Sequence, residues 1–258
     1  SVRTEKVDLL YQLAYQYIFS DLSEALKNAR LSQQLALEIG DSLRIVKASL
    51  VISSAFRRLE QIDSAIKAAE FGLEISTRNN FLSERKILLN SLAVAHSLKA
   101  EYDRALDFHF QSLILREETG TKSEVSITLN NIGFVYFKLK NYEKALDYYL
   151  RSLKLKLSEN DLHDLDRLYI NIGLCNIHLK NFQEALKSIN AGFGICGNNC
   201  SDEIVVEGEF GRGVANFNLQ NYEQAEGHFK VSYELAQRLD FKRWMAENLV
   251  YLARLAIT

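Results

Sequence analysis

An alanine returns every 40 residues along the 258-residue chain, at Ala25, Ala65, Ala105, Ala145, Ala185 and Ala225. Six hits in phase describe one short supersecondary unit copied six times, not a single globule of unrelated elements. Self-similarity at a period of 20–50 residues is the signature of a solenoid, in which each unit packs only on its neighbours.

Other positions keep the same phase. Three residues before the alanine stand Leu22, Ile62, Tyr102, Tyr142, Phe182 and Tyr222, always large and apolar. Seven after it stand Ser32, Gly72, Ser112, Ser152, Gly192 and Ser232, always small. Twelve before it, from the second copy on, stand Ser53, Ala93, Gly133, Gly173 and Gly213; Ala14 is the nearest match in the first copy and Ala253 continues the series. Helices pack at axis distances of roughly 8–10 Å set by the side chains at the crossing. Glycine inside a helix costs about 1 kcal/mol relative to alanine. Glycines in an apolar helical pattern therefore imply a neighbouring helix in close approach. The small residue seven after the alanine is expected to let the next unit stack.

The runs Asn131-Ile132-Gly133-Phe134-Val135-Tyr136 and Asn141-Tyr142-Glu143-Lys144-Ala145 carry a resemblance to the tetratricopeptide repeat (TPR). Asn171-Ile172-Gly173 with Asn181-Phe182-Gln183-Glu184-Ala185 repeats it, as does Gly213 with Asn221-Tyr222-Glu223-Gln224-Ala225. The departures are a period of 40 where that family usually has 34, and the absence of any proline. Long-period repeats of this kind resemble those of bacterial signalling proteins and of the G-protein-signalling modulator adaptors. The stretch Arg116-Glu117-Glu118-Thr119-Gly120-Thr121-Lys122, running into Leu129-Asn130-Asn131-Ile132-Gly133, is most similar to the former. The resemblance implies an all-α, right-handed superhelix of six helix-turn-helix repeats plus a terminal helix. Over residues 1–258 the repeats fall near 5–40, 42–80, 82–120, 122–160, 162–200 and 202–240, with the last helix at 242–258.

Apolar spacing of three to four residues runs nearly throughout, which predicts about thirteen helices and no strands. Ser42, Ser123 and either Asp161 or Ser201 are candidate N-caps, and Asn141, Asn181 and Asn221 mark the turns inside repeats. Net charge is −2 with no block of like charge, so nucleic acid and anionic membrane are not expected partners. No apolar run approaches the ~20 residues that span a bilayer. The chain begins at Ser1, which fits a processed protein or a piece of a longer parent. The compartment is left between cytoplasm, the default, and periplasm.

Chemistry-bearing residues are few. Cys175 reads as a small core residue. Cys196 and Cys200 flank Gly197-Asn198-Asn199 and fit free thiols first, then a disulfide, then half of a zinc site. His96 and His109 fall on slots held by Tyr136 and Tyr149 in the fourth copy and read as packing residues. His163 stands among Asp161, Asp164 and Asp166, where helix capping explains the acids better than a metal does. Lys138, Lys140, Lys144, Arg151, Lys154 and Lys156 read as a solvated face. No nucleophile–base pair or phosphate-cradling glycine loop is legible, so neither an enzyme nor a cofactor is expected.

In TPR proteins ligands usually lie on the concave face lined by the first helix of each repeat. Contact positions stand six, three and two residues before the glycine slot and one and five after. The resemblance thereby points to Asn90, Asn130, Asn131, Phe134, Lys138, Arg167, Ile170, Asn171 and His178; Phe137 and Phe210 are expected to add apolar contact beside Phe134. Asn131 and Asn171 hold one slot in adjacent copies, and a carboxamide both donates and accepts, so the pair suits an extended peptide backbone. Chaperone-binding members clamp a C-terminal carboxylate with lysines and arginines. Asn90, Asn130 and Ile170 replace the lysine here and Arg167 is the one cation, which argues against such a clamp. The expectation is a protein- or peptide-binding scaffold or sensing module, part of a bacterial signal-transduction protein, within a larger chain or a homo-oligomer, with its ligand held in the concave groove. A stand-alone regulator responsive to peptide pheromones is the alternative, and an enzyme or its accessory subunit a third.

Overall fold

Every residue in the slot three before the repeat alanine opens a helix. In the computed structural model, which describes residues 2–257, the second helices of the repeats are α2 (Leu22–Glu38), α4 (Ile62–Arg78), α6 (Tyr102–Thr119), α8 (Tyr142–Ser158), α10 (Phe182–Cys196) and α12 (Tyr222–Arg238). The first helices are α1 (Val2–Tyr17), α3 (Ser42–Arg58), α5 (Leu82–Leu98), α7 (Lys122–Lys138), α9 (Leu165–His178) and α11 (Asp202–Asn218). A last helix, α13 (Lys242–Leu255), and one 3₁₀ turn, Gly197–Asn199, complete the described residues, which contain no strand. Contacts group the chain into two compact units, Ser1–Thr128 and Leu129–Thr258.

All six repeat alanines are fully buried. The slot twelve before each lies against the same repeat's second helix. In the first unit Ser53 Oγ donates to the carbonyl of Ala65 at 2.9 Å. In the second, a β-carbon on Gly133 or Gly173 would come within 3.2 Å of the Ala145 or Ala185 carbonyl. The small residue seven after the alanine packs back on its own repeat. Ser32 donates to Val7 at 3.0 Å, Ser112 to Lys86 at 3.1 Å, and Ser232 to Val206 at 2.9 Å. A side chain at Gly192 would meet the Asp166 carbonyl at 2.9 Å. The expected role in seating the next unit shows at two of these positions. A β-carbon on Gly72 would meet Leu88 of α5 at 3.1 Å as well as Ser49 at 3.0 Å, and Ser232 also accepts from Asn248 of α13 at 2.9 Å, so the slot fixes helix against helix both within a pair and against the next pair.

The turn inside the first repeat closes one residue shorter, with the Asp21 amide donating to the Tyr17 carbonyl at 2.8 Å, and from the second repeat on the turns are tight and alike. The left-handed residue is Glu60, Ala100, Lys140, Lys180 or Gln220, one before the position expected from the asparagines. The asparagines instead begin the next helix: Asn141 Oδ1 accepts from the Lys144 amide at 3.1 Å. The amide after each left-handed residue closes on the carbonyl five residues back, as in Asn141 to Tyr136 and Asn221 to Asn216, both 2.9 Å. This satisfies carbonyls that a helix end leaves open.

Caps differ from expectation at two helices. Asp41, not Ser42, caps α3, accepting from the Arg44 amide at 3.1 Å. A reciprocal box of Thr121 and Glu124, not Ser123, starts α7. Ser201 caps α11, at 3.4 Å from the Ile204 amide. Asp161 accepts from the His163 amide at 3.0 Å, ahead of α9.

Candidate functional site

The second unit contains an open cavity of about 700 Å³ between α7, α9, α11 and α13. Asn130, Asn131, Phe134 and Lys138 reach it from α7, Arg167, Asn171 and His178 from α9, and Phe210 from α11. Residues three or four apart share one helix face, so one stripe from each first helix meets the same space. Asn90 lies on α5 in the first unit and does not line this cavity. Ile170 occupies a contact slot but is fully buried in a cluster with Ile189 and Ile204. Hypothetical β-carbons at Gly192 and Gly208 would stand 3.2 and 3.1 Å from its Cδ1, which shows how tightly neighbouring helices enclose it.

The cavity's apolar part is aromatic. Phe134 is 41% exposed, with Lys138 Nζ 5.0 Å from its ring centroid. Phe210 is more deeply set than a contact residue need be. It is 9% exposed and packs against Trp244 at 5.2 Å, Tyr251 at 5.7 Å and Phe229 at 5.9 Å. Phe137 meets the His178 ring edge-on at 5.4 Å, and Tyr142 stacks on it at 4.1 Å. Burial holds the His178 imidazole below its ordinary pKa, which favours the neutral ring.

Polar groups interrupt this surface. Asn130 Oδ1 is buried without a hydrogen-bond partner. Among the described residues no hydrogen bond occupies the carboxamide of Asn171. Arg167 Nη2 lies 3.3 Å from Glu203, and Arg243 Nε donates to Glu247 at 2.7 Å. Lys180 and Arg243 thus join the slot residues Lys138 and Arg167 around the cavity. Glu207 lies among them, half-buried and without a direct ion pair among the described residues. Burial pushes its carboxyl above the ordinary range, against the pull of Arg167, Lys138 and Arg243.

Several lining residues went unnamed in the sequence but sit in its register. Glu207, Val214 and Asn218 stand six before, one after and five after Gly213. Glu247, Val250 and Tyr251 stand six, three and two before Ala253. Carrying the count into the sixth copy and α13 finds them. Arg243 and Trp244 fall outside the register and had no such signal.

Elsewhere, Cys196 and Cys200 are joined by a disulfide, with Cα atoms 4.8 Å apart. Cys175 is free and fully buried, its thiol pushed up to about 12 by burial. Lys156 is not part of a solvated face: it is 3% exposed, with Nζ donating to the His163 carbonyl at 2.5 Å and to Asp161 at 3.1 Å. His96 is buried with Nδ1 2.6 Å from Glu101. Among the described residues no group of three or more His, Cys, Asp or Glu could hold a metal. None of their helices is long and apolar enough to cross a membrane.

Paired helices in a 40-residue register, with a cavity lined by the first helix of successive pairs, define a helical-repeat protein with a groove. The tetratricopeptide repeat model matches residues 83–158 and 124–192. With the same phase recurring in both units, the chain carries tetratricopeptide repeats. Among curated proteins none matches it by sequence. Solved structures similar to it include a signal transduction ATPase with numerous domains and a TPR sensor, from Pyrococcus horikoshii. The two are 17% identical with a TM-score of 0.80, over 96% of this chain and 39% of that one. The apo form of RapI is 15% identical with a TM-score of 0.74, over 98% and 97% of the two chains. A Rap protein complexed with competence and sporulation factor is 12% identical with a TM-score of 0.68, over 97% and 75%. At such identities these likenesses describe the fold.

Proposed function

We propose that this protein is a non-catalytic peptide- or protein-binding module, the sensing or scaffolding part of a bacterial signal-transduction protein. It holds an extended peptide in the cavity of the second unit. The observation that carries this reading is the convergence of equivalent slots from α7, α9, α11 and α13 on one open space. The asparagines offer donors and acceptors for a peptide backbone of any sequence, and Phe134 offers exposed apolar area for its side chains. The likeness to a sensor-bearing ATPase and to a Rap protein in complex with a factor agrees with it. The latter likeness also favours the second reading, a stand-alone regulator that responds to a peptide.

The test is an array of immobilised octapeptides probed with purified protein. Replacing Asn131 and Asn171 together with alanine should weaken the signal across sequences by about fivefold or more, since each lost hydrogen bond contributes about 0.5–1.5 kcal/mol. Helicity should be unchanged. Undiminished binding by that double variant would remove the groove from consideration.

A further inference from the structure

Six junctions lead from the second helix of a repeat to the next first helix, and four of them close in one way. The residue eleven after the repeat alanine keeps its carbonyl for the amide five residues on. In the first unit these bonds are Asp41 to Ala36 and Phe81 to Ser76, both 2.9 Å; in the second, Asp161 to Lys156 at 2.9 Å and Phe241 to Ala236 at 2.8 Å. The residue before each amide is left-handed: Gly40, Asn80, Asn160 and Asp240. The α6–α7 junction replaces this bond with the Thr121–Glu124 box and with Arg116 Nη1 donating to the Glu124 carbonyl at 2.9 Å.

The α10–α11 junction has neither device. Cys196 occupies the slot of Ala36 and Ala236, and among the described residues Ser201 makes no amide bond to its carbonyl. The covalent link from Cys196 to Cys200 stands in its place, around the Gly197–Asn199 turn. Both cysteines pack on the cluster of Ile170, Ile189 and Ile204, and cavity-lining Leu174 and Ile177 pack on that same cluster. Ile204 lies in the first turn of α11, the helix that presents Glu207 and Phe210 to the cavity.

We propose that the Cys196–Cys200 pair is a redox latch: oxidised, it fixes the seat of α11; reduced, it releases the junction and alters the cavity. The reductant is a dithiol. Its thiolate attacks one sulfur of the pair and breaks the S–S bond, giving a mixed disulfide and one cysteine thiolate. Its second thiolate then displaces the other cysteine. Two electrons and two protons pass to the pair, leaving two thiols and an oxidised dithiol. Cys175 takes no part, being fully buried with its thiol held protonated. The biological consequence rests on the cavity being the binding site, but the latch itself is measurable without any ligand.

Trp244 is the only tryptophan and lines the cavity 5.2 Å from Phe210, so its emission reports the cavity directly. Amide exchange over residues 200–207 and Trp244 fluorescence are compared in oxidised and dithiothreitol-reduced protein. Reduction is expected to speed exchange there by roughly tenfold or more and to shift the Trp244 emission. The double variant Cys196→Ser, Cys200→Ser should match the reduced protein and ignore dithiothreitol. Unchanged exchange in the reduced wild type overturns the latch, as does faster exchange with unmoved Trp244 emission, or a double variant that still responds. Failure of every peptide to bind in either redox state would sink the peptide-binding reading alone, leaving these readouts standing.

Discussion

Phe229 lies against the backbone of Gly213 so closely that a β-carbon built on the glycine would stand 2.5 Å from the ring. Phe229 is fully buried, so the ring has no free space to retreat into. Gly133 stands in the same relation to Tyr149, at 2.7 Å, and Gly173 to Ile189, at 2.5 Å. Gly213→Ala should destabilise the second unit by about 1–3 kcal/mol through overpacking, despite alanine's better helix propensity. Gly227, in α12, has nothing within 4 Å of a built β-carbon. Gly227→Ala should stabilise by up to about 1 kcal/mol. Urea midpoints of the two variants moving in the same direction would refute the close-approach account.

Ser232 connects three helices. Its hydroxyl donates to Val206 at 2.9 Å and accepts from Asn248 Nδ2 at 2.9 Å, with both side chains fully buried. Ser232→Ala leaves a buried carbonyl and weakens the hold on a buried carboxamide, at a cost of about 1–3 kcal/mol. Ser232→Gly should cost at least as much, because glycine adds backbone freedom. If only size mattered in this slot, as Gly72 and Gly192 suggest by themselves, both variants would unfold at the wild-type midpoint.

The phase of the alanines made the helix pairs legible, because one buried methyl per repeat fixes where each second helix meets its partner. The large residue three before it marked every second-helix start. Caps were less legible. Asp41 and Ser42 are both good N-caps, and only the backbone shows which oxygen faces the open amides. Lys156 looked solvated because its charge pattern carries no sign of the His163 carbonyl and Asp161 that receive it in the fold. At the cavity, the register located Asn131, Phe134 and Asn171 and would have located Glu207 and Glu247. It misplaced Ile170, because packing from the next pair, at Ile204 and Gly208, buries that slot in the fifth copy. Trp244 and Arg243 reach the cavity from the start of α13, where no repeat position anticipates them.

His109 is 1% exposed, and its Nδ1 has no hydrogen-bond partner. Burial, with Arg116 adding to it, pushes the imidazole down to about 4 from 6.5. Between these values the unfolded chain takes up a proton that the folded chain refuses, so stability falls as pH drops from 6.5 to about 4 and levels off below. His109→Leu should flatten that part of the profile while leaving stability at pH 8 within about 1.5 kcal/mol of wild type. Urea midpoints at pH 8, 6 and 4 test this; an equal acid-side loss in the variant would acquit His109.

Glu207 works in the opposite direction. Its folded carboxyl titrates above the ordinary value of 4.5 because burial disfavours the charged form more than Arg167, Lys138 and Arg243 favour it. In the window above 4.5 the folded state keeps a proton that the unfolded state has released, so stability falls as pH rises and the loss is complete above the folded value. Glu207→Gln abolishes the loss. The variant should melt above wild type at pH 8, and the gap should narrow as pH falls toward 4.5. The same carboxylate would feel a bound ligand. A cationic group set against it draws the folded pKa down, so binding near the folded pKa should release protons, seen as a calorimetric enthalpy that varies with the ionisation enthalpy of the buffer. A wild type that melts above Glu207→Gln at pH 8 would mean that the surrounding cations outweigh burial, and the carboxylate would then be a stabilising member of the cavity wall.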